Sequence, residues 1–157
     1  MAKPWKIIDL DPSESLKVCL RKIAQTRFQE TFSYEHGTVK GEDIESLHDM
    51  RVSARRLRAV LRIFRECFPK KKFRKQDERL HALIRSLGAV RERDVFLDLL
   101  SNYRKTLTPR DGRVIDLLLA RQSSARLGFR KQLQRDLRTL ARIRYPDSFN
   151  QFLKESL

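Results

Sequence analysis

One stretch of the chain concentrates the side chains whose type and spacing could do chemistry. His48, Arg51, Arg55, Arg58, Arg62 and Arg65 recur at alternating steps of three and four, which aligns them along one face of an α-helix. One position out of register, Leu47, Met50, Ala54, Leu57, Leu61 and Phe64 keep the same period. They form the apolar seam of a helix packed against other helices. Each residue advances about 100° around the helix, so the basic stripe runs beside the seam rather than behind it. Between Arg51 and Arg65 there are six arginines and no carboxylate. Solvated helix faces usually mix signs, and like charges at i,i+4, such as Arg51/Arg55 and Arg58/Arg62, cost about 0.2–0.5 kcal/mol each. Such a helix either meets acids from its neighbours or receives an anion, and the pattern favours the anion.

The rest of the chain carries the same excess. Its 157 residues include 35 Lys and Arg against 20 Asp and Glu, a net charge of +15. That much self-repulsion points to a polyanionic partner: nucleic acid, an anionic membrane surface or a phosphate polymer. Residues 1–70 hold 14 basic and 10 acidic groups and residues 71–157 hold 21 and 10, so the bases accumulate toward the C-terminus. Lys131, Arg135, Arg138 and Arg142 form a second stripe of helical period, a candidate second wall for the same anion.

These residues need helices to position them, and the composition supplies helices. Only five Gly and five Pro are present, and Leu, Arg, Lys, Glu and Gln dominate, which favours an all-α fold of one domain. Residues 1–10 read as a lead-in whose Trp5, Ile7, Ile8 and Leu10 could cover one end of a core. Asp11-Pro12-Ser13 starts a first helix, with Leu16, Val18, Cys19, Leu20, Ile23, Ala24, Phe28 and Phe32 facing inward. His36 to Gly41 reads as a turn. Glu42, Asp43 and Glu45 suit the first turn of the stripe-bearing helix, which runs to Cys67-Phe68-Pro69. A third helix opens on the basic run Lys70–Lys75, with a bend or break expected at Gly88. Thr108-Pro109 starts a fourth with the seam Leu118, Ala125, Phe129, Leu133, Leu137 and Leu140. A short helix from Asp147 to Leu157, carrying Phe149, Phe152 and Leu153, closes an antiparallel bundle of about four long helices.

At His48-x-x-Arg51-Val52-x-x-Arg55-Arg56-Leu57-Arg58 the sequence resembles the CHAD domain, the conserved-histidine α-helical family. A second landmark, Leu87-Gly88-Ala89-Val90-Arg91-Glu92-Arg93-Asp94-Val95, is similar to that family's L-G-x-x-R-D-x-D-V segment, with Glu92 in place of the usual aspartate. The resemblance spans residues 12–145. It implies a non-enzymatic helical protein that binds inorganic polyphosphate in a basic groove. Arg51, Arg55, Arg56, Arg58 and Arg62 would be groove residues, His48 the polyphosphate-contacting histidine that names the family, and Arg91, also a binding residue, and Asp94 would mark the second landmark. The usual module has two related halves, each with its own histidine–arginine segment, and only one such segment is found here. The chain therefore resembles a single half, and a homodimer would restore a two-sided groove.

Other chemistries find less support. A nucleic-acid backbone needs the same charge, and sequence-nonspecific RNA or DNA binding is the alternative reading. It usually adds stacking aromatics or base-reading Asn and Gln, whereas Trp5 stands alone and most of the nine Phe fall on apolar seams. Polyphosphate calls instead for dense forked donors, and the 51–65 stripe is about 21 Å long. His36, His48 and His81 have no second His or Cys at i+3 or i+4, so no metal site is expected. Glu92 and Asp94 could imitate one, but capping or pairing with Arg91 is simpler. No phosphate loop, nucleophile elbow or cofactor motif is present. Cys19 and Cys67 read as small core residues of a reducing compartment. The basic N-terminus is followed by no apolar run, and no 18-residue apolar window occurs. A cytoplasmic protein, associated with polyphosphate granules, is the expectation.

Overall fold

The computed structural model describes residues 3–41 and 43–157. Its elements are α1 (Leu16–Ser33), α2 (Glu35–Lys40), α3 (Ile44–Ile63), α4 (Lys70–Arg104), α5 (Arg113–Arg142) and α6 (Tyr145–Ser156), with one 3-10 turn at Arg65–Cys67. There is no strand among the described residues, and the chain is an all-α bundle. No helix is long and apolar enough to cross a membrane among those residues.

Local chemistry sets the helix ends. Ser15 caps α1 by accepting from the Val18 N–H, and Asp43 caps α3 by accepting from the Glu45 and Ser46 N–H groups at 2.8 and 3.1 Å. Each satisfies donors that the first helical turn leaves free. Gly41 ends α2 at φ 66°, a left-handed cap that glycine adopts without strain. The Arg130 guanidinium lies across the space that a Cβ there would fill.

Several boundaries differ from the sequence reading. Asp11 does not start α1. It holds a preceding turn, accepting from the Ser13 N–H at 2.8 Å, and Leu16 and Val18 remain exposed. Residues 35–40 are a short helix rather than a turn. α3 ends at Ile63, so Arg65 leaves the stripe for the 3-10 turn and pairs with Glu66. Thr108 closes a turn ahead of α5, which begins at Arg113. α4 runs unbroken through Gly88. One glycine costs a helix about 1 kcal/mol relative to alanine, and packing on both α3 and α5 overrides it. Trp5, Ile8 and Leu10 are exposed and cover no core; the lead-in is held by Arg27, which donates to the Trp5 carbonyl at 3.0 Å. Glu42, expected in the first turn of α3, lies outside the described residues.

Successive long helices pack antiparallel. α3 and α4 form one hairpin across the 3-10 turn, and α4 and α5 form a second across residues 105–112. Arg104–Asp116, Arg126–Asp94 and Ser86–Asp136 pair in matching register along the second. Two apolar clusters fill the bundle. Leu20, Ala24 and Phe28 of α1 meet Leu57 and Leu61 of α3, roofed by Tyr145, Phe149, Phe152 and Leu153 of α6. Phe28 and Phe149 stack with centroids 4.3 Å apart. The second cluster joins Leu47 and Met50 of α3 to Leu83, Leu87 and Val90 of α4 and Leu133 and Leu137 of α5. α4 is thereby flanked by α3 and α5, which places the α3/α4 seam at the surface.

Candidate anion-binding groove

The buried residues of α3 fix the direction of its basic stripe. With Leu47, Met50, Ala54, Leu57 and Leu61 in the core, His48, Arg51, Arg55, Arg58 and Arg62 fall along the seam with α4. Three contacts locate that seam. Arg58 makes a two-pronged ion pair with Asp77 of α4, Nε–Oδ1 at 2.7 Å and a second nitrogen to Oδ2 at 3.0 Å. Arg51 Nε lies 3.6 Å from where a Gly88 side chain would begin. His48 and Arg51 share a cavity of ≈ 490 Å³ with Arg91, Glu92, Val95, Phe96 and Leu99. A line of charged side chains therefore follows the α3/α4 hairpin, from Arg62 and Asp77 at one end to the cavity at His48 and Arg91 at the other.

Charge is unevenly satisfied along it. Asp77 takes Arg58 and, at 4.0 Å, Arg62. The Arg58 hydrogen bond and the charges of Arg58, Arg62 and His81 hold the Asp77 carboxyl below its usual range, against a smaller opposing effect of burial. Arg51, Arg55 and Arg91 have no ion pair among the described residues. Two buried nitrogens of residues lining the cavity, Arg51 Nε and His48 Nδ1, also lack a hydrogen-bond partner among the described residues. Internal pairing thus accounts for Arg58 and Arg62 and leaves Arg51 and Arg55 of the stripe, with Arg91 of α4, without an ion pair among the described residues.

Arg56 is placed elsewhere. One position off the stripe, it turns about 100° toward α1 and pairs with Glu30 at 3.4 Å. Glu30 is fully buried and also takes Arg27, so these three residues tie α1 to α3. Lys131, Arg135 and Arg138 are likewise not brought to the groove. On α5 the core-facing residues are Leu133 and Leu137, and the three basic residues lie about 100–160° around the helix from them, exposed to solvent. The two stripes do not face one another across one cleft within this chain. Asp94, the last polar residue of the second landmark, is buried toward α5, where Arg126 binds one of its oxygens.

Sequence reasoning missed three parts of the groove. Asp77 lies on another helix, and nothing in the period of α3 signals an acid arriving from there. Gly88 was read as a breaker, yet it gives Arg51 room beside α4. Val95, Phe96 and Leu99 have the apolar character and spacing of a core seam, but they remain exposed and line the apolar end of the cavity.

Residues 22–157 match the family model of the CHAD domain, nearly the whole chain. No curated protein matches it.

Proposed function

Because the chain belongs to the CHAD domain family, which is associated with polyphosphate binding, we propose that it holds inorganic polyphosphate along the α3/α4 groove and catalyses no reaction on it. The observation that carries this reading is the trio of Arg51, Arg55 and Arg91, which have no ion pair among the described residues in a chain of net charge +15. Guanidiniums offer paired donors that suit phosphate oxygens. From Arg51 to Arg62 the stripe advances about 16 Å, room for several phosphate units. Arg58 and Arg62 contribute field from positions already shared with Asp77, and His48 can donate to a terminal phosphate. A homodimer would add a second arginine groove. Lys131, Arg135 and Arg138, on the outer face of α5, would attract a long chain without lining the groove.

A competition titration at physiological salt tests this. Labelled long-chain polyphosphate is bound to the protein and challenged with duplex DNA, structured RNA and orthophosphate, while light scattering reports the mass. Retention of polyphosphate against nucleic acid at equal phosphate concentration supports the reading, and a mass of two chains supports the dimer. Ready displacement by RNA or DNA makes nucleic-acid backbone the partner. In the double variant Arg51→Ala/Arg55→Ala, polyphosphate affinity should fall at least tenfold with helicity unchanged; unchanged affinity removes the groove assignment.

A further inference from the structure

The groove changes chemistry along its length, and a bare phosphate chain uses only part of it. At the His48 end the ≈ 490 Å³ cavity sets His48, Arg51 and Arg91 beside Val95, Phe96 and Leu99. Those apolar side chains are 52, 37 and 62 % exposed. They follow one another at i, i+1 and i+4 on α4, so they present one continuous strip next to the arginines. A volume of a few hundred Å³ lined by apolar residues with a few convergent polar groups has the dimensions and composition of a small-molecule site. Exposed apolar side chains grouped beside such a site mark something that covers them.

We propose that this end of the groove binds an organic phosphate monoester with an aromatic or short-alkyl body. Its phosphate lies between Arg51 and Arg91, and its apolar body lies on Val95, Phe96 and Leu99. This deepens the polyanion reading of the same groove, on which it rests. The two halves of the ligand match the two halves of the cavity: two guanidiniums without a carboxylate partner take the dianion, and the strip on α4 is removed from water by the body. Glu92 also lines the cavity and adds a negative charge there, which limits the ligand to a single anionic group. Polyphosphate and the monoester share Arg51 and therefore compete.

The probe is 1-naphthyl phosphate, titrated by its fluorescence against the full chain, with orthophosphate and 1-naphthol as the two half-ligands. The expected result is binding at least tenfold tighter than either half-ligand, and displacement by polyphosphate. Leu99→Asn, at a mostly exposed position where no core cavity opens, should weaken naphthyl phosphate about tenfold by removing apolar contact without adding charge. The same variant should leave polyphosphate affinity within twofold. Naphthyl phosphate binding no tighter than orthophosphate, or unaffected by Leu99→Asn, overturns the proposal. So does binding that disappears as light scattering shows a dimer forming, because the strip is then covered by a second copy. If polyphosphate fails to bind while naphthyl phosphate binds tighter than both half-ligands and is weakened by Leu99→Asn, the polymer reading falls and the small-molecule site stands. If polyphosphate binds and naphthyl phosphate fails, only this proposal falls.

Discussion

Arg55 and Arg58 stand three residues apart on the same stripe, yet the structure gives them different work, and alanine at each position should separate stability from binding. Arg58 and Asp77 are only 20 and 21 % exposed and meet through two hydrogen bonds of 2.7 and 3.0 Å. Exposed ion pairs contribute about 0–1 kcal/mol, whereas a hydrogen bond to a charged group in a sheltered site contributes about 1.5–3 kcal/mol. The intermediate burial, with Arg62 at 4.0 Å able to compensate in part, places Arg58→Ala at a cost of about 1.5 kcal/mol. For a chain of this size that lowers the melting temperature by about 3–6 °C. Arg55 is exposed and has no ion pair among the described residues, so Arg55→Ala should change stability by less than about 0.5 kcal/mol. It should instead weaken polyphosphate binding and reduce the slope of log affinity against log salt by about one counterion.

The assay is thermal unfolding followed by circular dichroism, at pH 7 and in acid. Asp77's folded pKa is depressed below 3.8, chiefly by the Arg58 hydrogen bond. Its stabilisation is therefore complete above the ordinary carboxylate value of about 3.9 and is lost as pH falls through the lower folded value. The melting temperatures of wild type and Arg58→Ala should differ at pH 7 and converge as the pH falls below Asp77's depressed folded value. Equal melting temperatures at pH 7, or a gap that persists in acid, would refute the division of the stripe into a paired and an unpaired part.

Glu30→Ala strips the buried carboxylate from Arg27 and Arg56 and leaves two sheltered cations, so urea unfolding should show a loss of about 3 kcal/mol. Phe149→Ala removes a fully buried ring stacked on Phe28 and should cost about 3–5 kcal/mol by the same measurement, with polyphosphate affinity of the folded fraction unchanged. Tyr145 is buried, burial holds its phenol above the usual range, and its hydroxyl has no hydrogen-bond partner among the described residues. Tyr145→Phe should therefore leave the melting temperature unchanged or raise it, because a buried unpaired hydroxyl costs about 1–3 kcal/mol.

Periodicity made the cores legible and left the partnerships between helices hidden. The seam Leu47, Met50, Ala54, Leu57, Leu61 is the buried face of α3, and Phe149 with Leu153 closes the first cluster as read, because one amphipathic helix states its own inward direction. The choice of neighbour is not stated in the same way. Arg56 sits one residue from the stripe, and that single step of rotation sends it to Glu30 on α1. Asp77 reaches Arg58 from 19 positions away, a separation set by the hairpin rather than by either helix. The stripe on α5 has the same spacing as that on α3, yet α5 meets the bundle from the far side of α4 and turns its cations outward. Local punctuation misled for a related reason. Gly88 and the 36–41 segment look like breaks in isolation, while contacts with the flanking helices keep both helical.

The 35 residues of α4 extend about 52 Å, well past the start of α3. On α5, the buried positions are Leu133 and Leu137, near its C-terminal end. Among the described residues, the tip of the α4/α5 hairpin is thus a two-helix segment without a third layer, pinned by Arg104–Asp116 at one point and Arg126–Asp94 at another. Native-state amide exchange should accordingly be graded along a single helix. Amides near Leu83 and Leu87 should open only with the whole molecule, and those near Leu99 and Tyr103 through local opening at lower free energy. A ligand seated on Val95, Phe96 and Leu99 would slow exchange at the tip most, so bound and free states differ in the rigidity of this arm more than in its shape.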